Sequence, residues 1–223
     1  MRRSLVGSAV LAVAVGAAAA SPGLVGAAPN PLGDDERSST VLLADDGSYT
    51  VTTDWRQELF DDDYDLIFEI AVHDGFRLPD DDESPIPPYL RAEYETRDAE
   101  FDGDSVDAEW KAEGHRLSAS FGGDVAEGEH EGSLRYLVRG AAVKTDGGFR
   151  VYLRGGELGR ITVDPSKLTG TVTDVRCHYR PIATPCGDVG SEGERIVVEP
   201  AEVVVIDVRG AADQIAPPVI DRG

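Results

Sequence analysis

Between Glu131 and Arg154 the chain reads EGSLRYLVRGAAVKTDGGFRVYLR, and no other stretch limits the fold as tightly. Leu134, Tyr136 and Val138 alternate with Ser133, Arg135, Leu137 and Arg139. Past Asp146-Gly147-Gly148, the residues Phe149, Val151 and Leu153 alternate with Arg150, Tyr152 and Arg154. Side chains of a strand point to opposite faces in turn, so each run is a strand with one buried face, and the Asp-Gly-Gly between them is turn chemistry. The expectation is a β-hairpin from Leu134 to Leu153 that frames a sheet with one apolar face.

Other segments repeat the pattern. Thr40 to Ala44 and Tyr49 to Leu59 flank Asp45-Asp46-Gly47-Ser48, a hairpin whose turn calls for positive φ at Gly47. Tyr64 to Val72, Arg160 to Val163, Thr171 to Tyr179, Glu194 to Glu199 and Val203 to Arg209 read as further strands. Val203 to Ile206 is apolar at every position, which suits a central strand covered on both faces. Leu90 to Phe101, Ser105 to Ala112 and His115 to Phe121 are weaker strand candidates, and the Ala, Glu and Arg content of Arg91 to Glu100 also suits one short helix. Asp80 to Pro88 and Gly122 to Glu131 read as loops. Many short strands, Gly/Asp turns and no long amphipathic helix make this an all-β antiparallel sandwich, immunoglobulin-like or related.

The ends divide the chain. Arg2 and Arg3 precede an apolar, small-residue run from Leu5 to Ala20, with small residues at cleavage spacing at Ala18/Ala20 and Val25/Ala27. That is the pattern of a cleavable signal peptide over residues 1–28. The run is shorter than the ~20 apolar residues of a spanning helix. Residues 29–37 form a polar linker, 38–209 the folded domain and 210–223 a mobile tail. The mature protein is expected to be secreted or otherwise extracytoplasmic, with no integral membrane segment.

Charge narrows the partners. There are 42 acids against 21 lysines and arginines, a net charge of −21. Such a surface repels nucleic acid and anionic lipid head groups and admits cations and basic polymers. The two cysteines, Cys177 and Cys186, enclose HYRPIATP. In an oxidising compartment such a pair closes a disulfide. A zinc site with His178 lacks a fourth soft ligand, and the spacing is not that of a Cys-x-x-Cys redox pair.

Chemistry-bearing patterns are sparse. Asp98 to Glu109 places acids at positions one, three, five and twelve and Gly103 at position six, close to a calcium-binding loop. Glu100 and Ser105 depart from that pattern, and a solvated hairpin tip fits the stretch better. His73, His115, His130 and His178 are scattered without metal-ligand spacing, and there is no Gly-x-Ser-x-Gly elbow. A carboxylate pair for hydrolysis would meet only in space, so no catalytic residue, metal ligand or cofactor is assigned. Tyr49, Tyr136 and Tyr152 read as packing residues rather than a sugar platform. Arg135, Arg139, Arg150 and Arg154 form an outward row, expected to pair with the protein's own acids.

The order TVLLADDGSYTVTTDWRQELF, DLIFEIAV, LSASFGGDVAEGEHEGSLRYLVRGAAVKTDGGFRVYL and VRCHYRPIATPCG resembles the extracellular N-terminal region of the YciQ-like predicted membrane proteins, a domain of unknown function. The likeness covers most of Ser38 to Arg209 and implies a β-rich domain outside the membrane, with Cys177 and Cys186 matching the family's cysteine pair. Family members continue into transmembrane segments, whereas this chain stops at Gly223, so the resemblance implies a detached, secreted version. The functional expectation is a non-enzymatic β-sandwich that binds an envelope component or partner protein. The alternatives are a calcium-dependent module at Asp98 to Glu109 and a carboxylate-dependent hydrolase.

Overall fold

The computed structural model describes residues 32–60, 64–77, 89–114, 116–155, 158–179, 182–186, 194–198, 201–210, 215 and 220–221. The signal-like segment, the acids 61–63, the proline loop at 80–88 and most of the tail lie outside them. Every regular element among the described residues is a strand, as the alternating sequence required. They are β1 (Leu32–Leu43), β2 (Tyr49–Leu59), β3 (Tyr64–His73), β4 (Gly75–Arg77), β5 (Tyr89–Arg91), β6 (Glu93–Phe101), β7 (Asp104–Ser105), β8 (Lys111–Glu113) and β9 (Arg116–Val125). There follow β10 (Gly128–Arg139), β11 (Ala142–Thr145), β12 (Gly148–Arg154), β13 (Arg160–Asp164), β14 (Thr171–Tyr179), β15 (Ile182–Pro185), β16 (Ile196–Val198), β17 (Val203–Arg209) and β18 (Ile220–Asp221).

Seven strands in the order β16-β13-β1-β2-β10-β6-β7 form the largest sheet, antiparallel except that β1 and β13 run parallel. Its inner face meets two further sheets. At one end Trp55 of β2 lies between Phe68 of β3 and Phe121 of β9, each ring 5.7 Å away, in the three-stranded sheet β3-β9-β8. At the other end the Tyr49 hydroxyl donates to the Tyr152 carbonyl at 3.1 Å, joining β2 to the five-stranded sheet β11-β12-β17-β14-β15. The fourth sheet, β18-β5-β4, sets Phe76 against Tyr152 at 6.2 Å. The result is a β-sandwich with one continuous apolar core.

The buried polar groups of this core are joined to one another. Ser39 donates to the Leu158 carbonyl at 2.7 Å, so the 2.9 Å contact with Thr53 is donated by Thr53. Tyr136 in turn bonds to Thr53. Such a chain of hydroxyls satisfies each buried oxygen and fixes the register of β1, β2 and β10.

The expected hairpin from Leu134 to Leu153 does not exist as one unit. Its first arm, β10, is paired along both edges, by β2 and β6, and has no edge left for β12. The chain leaves that sheet at Gly140, whose φ is +76° and whose absent Cβ would lie 2.7 Å from the Arg91 carbonyl oxygen. Only glycine takes that conformation so close to another backbone. The chain then enters the five-stranded sheet, where the true hairpin is β11 and β12 around Asp146 and Gly147. The alternation marks both strands correctly, because period two is the same in either sheet.

Other boundaries shift for similar reasons. β1 begins at Leu32, inside the stretch read as linker, because pairing with β2 uses backbone groups and needs no apolar side chain. Gly122 to Glu131 is mostly strand rather than loop. Gly122 lets β9 continue past the Leu66 carbonyl, only 1.9 Å from where a Cβ would sit. Ser105 to Ala112 is strand only at its ends, with Trp110 packed 5.3 Å from Tyr94 and Tyr136. Arg91 to Glu100 contains no helix, since β6 pairs with β10. Ile220 and Asp221, in the expected tail, pair with β5. Val203 to Ile206 lies in the central strand β17 between β12 and β14, with Val204, Val205 and Ile206 buried, as read from its unbroken apolar run.

Cys177 and Cys186 form a disulfide across the β14–β15 hairpin, with Cα atoms 5.4 Å apart. Closing a loop this short contributes about 2–3 kcal/mol on chain-entropy grounds.

Candidate functional site

The outer face of the seven-stranded sheet carries side chains that five separate stretches of sequence bring into line. Ser38 of β1 is opposite both Arg160 of β13 and Asp54 of β2; Asp54 is opposite Ser133 of β10, and Ser133 is opposite Glu100 of β6. The register thus lays Arg160, Ser38, Asp54, Ser133 and Glu100 in one row across five strands. Two residues along, Glu36, Arg56 and Glu131 form a second row. On the other side lies a row of hydroxyls, Thr162, Thr40 and Thr52, ending at Arg135. The first two rows line an open groove of about 900 Å³.

The groove's charges are only partly neutralised. Arg56 is held by Glu129 at 2.7 Å and Glu131 at 2.6 Å, and these carboxylates raise its already high pKa. Asp54 and Glu100 stand on either side of Ser133, about 10 Å apart by strand spacing, and both are exposed. No aromatic ring lies on these outward rows among the described residues. Trp55 borders the groove but is only 2% exposed, and Tyr49, Tyr136 and Tyr152 are equally buried, in keeping with their reading as packing residues.

One end of the groove is closed by a latch. Asp102 and Gly103, both at positive φ, make a two-residue turn between β6 and β7. Asp102 accepts from the Glu131 amide at 2.9 Å, and its own amide donates to the Glu131 carbonyl at 2.9 Å. Its other carboxylate oxygen meets His130 Nδ1 at 2.8 Å, while His130 Nε2 meets the Ala126 carbonyl at 2.8 Å. Both ring partners are acceptors, so only the doubly protonated imidazolium satisfies both. Burial, the largest single influence, pushes the His130 pKa down, but Asp102 and the Ala126 carbonyl together carry it above the ordinary 6.5.

A histidine raised in the fold contributes stability that is complete below its unfolded pKa and is lost as pH rises through its folded value. His178 is opposite in sense: burial first, then Arg176 and Arg150, push its pKa down, so its contribution is present above about 6.5 and is lost on acidification. Urea midpoints measured from pH 5.5 to 8 should therefore show a decline above about pH 6.5 that the His130→Gln protein lacks. An identical decline in that variant would assign it to another group.

The residues singled out in the sequence are placed as follows. Asp98 to Glu109 runs through β6, the tight turn and β7, and among the described residues no three acid, His or Cys side chains converge as a metal site. Asp98 and Glu100 are paired into the sheet on β6 and Asp104 on β7, so the twelve-residue loop the pattern would need is not formed. Arg135 and Arg139 lie on β10, and Arg150 and Arg154 on β12 in a different sheet, so the expected single row of four is two separate pairs. Arg139 bonds Glu95 at 2.8 Å, and Arg154 donates to the Gly75 carbonyl while lying over the Phe76 ring. Arg150 grips Asp207 at 2.6 and 3.1 Å, and Arg176 reaches the same carboxylate at 2.6 Å. Arg139 and Arg150 thus pair with the protein's own acids, as expected, whereas Arg154 is held by a backbone carbonyl and a ring. The groove rows were missed because sequence shows which residues face outward but not which strands are neighbours.

No family model matches the chain, and no curated protein does. Among solved structures, a candidate nutrient-binding protein from Legionella pneumophila is similar with a TM-score of 0.45 and 9% identity, over 80% of this chain and 67% of that one. Leukotriene A4 hydrolase from Saccharomyces cerevisiae gives a TM-score of 0.44 at 8% identity, over 80% of this chain and 29% of the other. An M1 zinc metallopeptidase from Deinococcus radiodurans gives 0.37 at 8% identity, over 79% and 42%. This chain spans less than half the length of either enzyme. Nothing about activity follows from likenesses so remote.

Proposed function

We propose that this chain is a secreted, non-enzymatic β-sandwich that binds a partner protein across the outer face of its seven-stranded sheet. The observation that carries the reading is the groove itself, lined by Glu36, Asp54, Glu100 and Glu131 against Arg37, Arg56 and Arg160, an excess of one acid, with the hydroxyls of Ser38 and Ser133 between. An open, hydroxyl-rich and net-acidic surface suits the backbone and basic side chains of a polypeptide. A sugar ring would call for an exposed aromatic platform on the groove, whereas Tyr49, Tyr136 and Tyr152 are packed inside. The signal-like N-terminus, the disulfide and the net charge of −21 support action outside the cytoplasm on a partner of opposite charge. Among the described residues no helix is long and apolar enough to cross a membrane.

The test is crosslinking with mass spectrometry on the tagged chain in its source cell, wild type beside the Asp54→Arg/Ser133→Arg double variant. Both positions face outward, so the two proteins should melt alike. Crosslinks mapping to β1, β2 and β10, reduced at least tenfold in the variant, are expected. Crosslinks unchanged by the variant would remove the groove from the reading. Turnover of a polysaccharide panel, lost on substituting one carboxylate, would replace it with the hydrolase.

A further inference from the structure

Among the described residues the outermost strands of the sheets are very short, with one exception, though β7 and β8 cover only one end of β6 and of β9. β16 and β7 bound the largest sheet with three and two residues; β11 and β15 bound the next with four each. β18, β4 and β8 have two, three and three. Short edge strands are the usual way in which a β protein avoids pairing with other chains, because they offer few unpaired backbone groups. β3 is a ten-residue edge strand. One side of it is paired with β9 through ten consecutive residue pairs without a register shift. Along the other side no strand pairs with it among the described residues.

Of the other protective devices β3 has only its acidic side chains, Asp65 and Glu69. Its sequence, YDLIFEIAVH, has no proline, lysine or arginine, and no bulge turns it away. Leu66, Phe68, Ile70 and Val72 are buried, and Phe68 is fixed among Trp55, Phe101 and Phe121 at 5.7–5.8 Å. The inner face of the strand is therefore anchored in the core. On the opposite face Ile67 is 55% exposed, beside Glu69. Such an edge, unbulged and anchored through its buried face, with an exposed apolar side chain near its centre, suits β-strand addition, in which backbone hydrogen bonds supply affinity and alternate side chains supply selectivity.

Charge decides what can occupy it. From Phe60 to Asp74 the chain has six acids, at 61, 62, 63, 65, 69 and 74, and no lysine or arginine. The facing strand β9 adds Asp124 opposite Asp65, and one cation, Arg116, lies 3.7 Å from Glu69. A second copy of this chain would bring the same acids edge to edge, and like charges directly opposite are destabilising. We infer that the open edge of β3 receives an extended, basic segment of another protein as an added antiparallel or parallel strand. This surface is separate from the groove on the seven-stranded sheet and does not depend on it.

The probe is a synthetic peptide of ten alternating valine and threonine residues between paired lysines, titrated into the full-length chain by fluorescence polarisation, with amide hydrogen exchange read in parallel. Expected are saturable binding and at least tenfold slower exchange at those β3 amides that point away from β9, with β8 and β16 unchanged. Methylating alternate peptide nitrogens keeps the charge but removes the ladder donors, and should weaken binding at least tenfold. Ile67→Lys/Glu69→Lys, two outward changes that should leave the melt intact, should do the same. Equal binding of the methylated peptide would show charge attraction alone and overturn the inference, and so would unprotected β3 amides or no binding at millimolar peptide. Protection of β3 in the chain alone, with dimerisation by sedimentation, would overturn the choice of occupant. The methylated-peptide comparison uses only the unaltered chain and decides even if the lysine variant fails to fold.

Discussion

Trp55→Ala is expected to destabilise the fold by about 3–5 kcal/mol, the range for removing a large aromatic side chain from a packed core. For a domain of this size that is a fall in melting temperature of about 6–20 °C. The ring sits where the seven-stranded sheet meets the β3–β9 pair, stacked on Phe68 at 28° and edge-on to Phe121 at 78°, with the Arg37 guanidinium 5.4 Å from its centroid. Deleting it leaves Phe68, Phe121 and Arg37 facing one void. The backbone around the site cannot collapse to fill it, because β2 is paired on both edges. A second variant separates packing from polarity. The indole Nε1 is buried and finds no acceptor among the described residues. Trp55→Phe therefore loses ring area but also removes an unsatisfied donor, and should cost no more than about 1.5 kcal/mol. Equal losses in the two variants would mean that the Trp55 N–H has a partner.

Period two was legible nearly everywhere because burial here follows it: β2 buries Tyr49, Val51, Thr53, Trp55, Gln57 and Leu59, every second residue. The uninterrupted Val203–Ile206 run identified the central strand for the same physical reason, two covered faces. What alternation cannot carry is sheet membership. Leu134 to Val138 and Phe149 to Leu153 look alike along the chain, yet they lie in different sheets, because β10 is already paired on both edges and Gly140 turns the chain away beside the Arg91 carbonyl. The groove was hidden by the same ambiguity. Ser38, Asp54, Ser133 and Arg160 are ordinary outward residues one at a time and become a row only when β1 is set parallel to β13 and antiparallel to β2. The calcium pattern at Asp98 to Glu109 is the converse case, in which spacing suggests convergence and the strand pairing of Asp98, Glu100 and Asp104 leaves no twelve-residue loop. The length of β3 was visible from YDLIFEIAV, but that it is an edge was not, since edge status depends on what fails to pair with it.

Asp207→Ala should cost about 3 kcal/mol, the low end for stranding charges in a partly buried site. Asp207 lies on the central strand β17 between Arg150 of β12 and Arg176 of β14, and its two oxygens accept from both guanidiniums. Arg176 also lies 3.1 Å from Asp174, so it keeps one carboxylate when Asp207 is removed, whereas Arg150 loses the carboxylate that holds both its Nε and Nη2. Each arginine side chain is about a third exposed, 34% and 33%, so water offsets part of the loss and the upper end of the range is not reached. The pair Arg139–Glu95, with both side chains about half exposed, has comparably short geometry at 2.8 Å, yet Glu95→Ala should barely move the melt, because exposed pairs gain little over hydration. The decisive comparison replaces the whole cluster. If the penalty of Asp207→Ala comes from the stranded Arg150 guanidinium and the weakened pairing of Arg176, the triple variant Arg150→Leu, Arg176→Leu, Asp207→Leu should recover most of it, since apolar side chains of similar size need no partners. Urea melts of the three proteins decide between the accounts: recovery assigns the cost to stranded charge, and a triple variant as unstable as Asp207→Ala would mean that the carboxylate fixes the spacing of β12, β17 and β14 by itself.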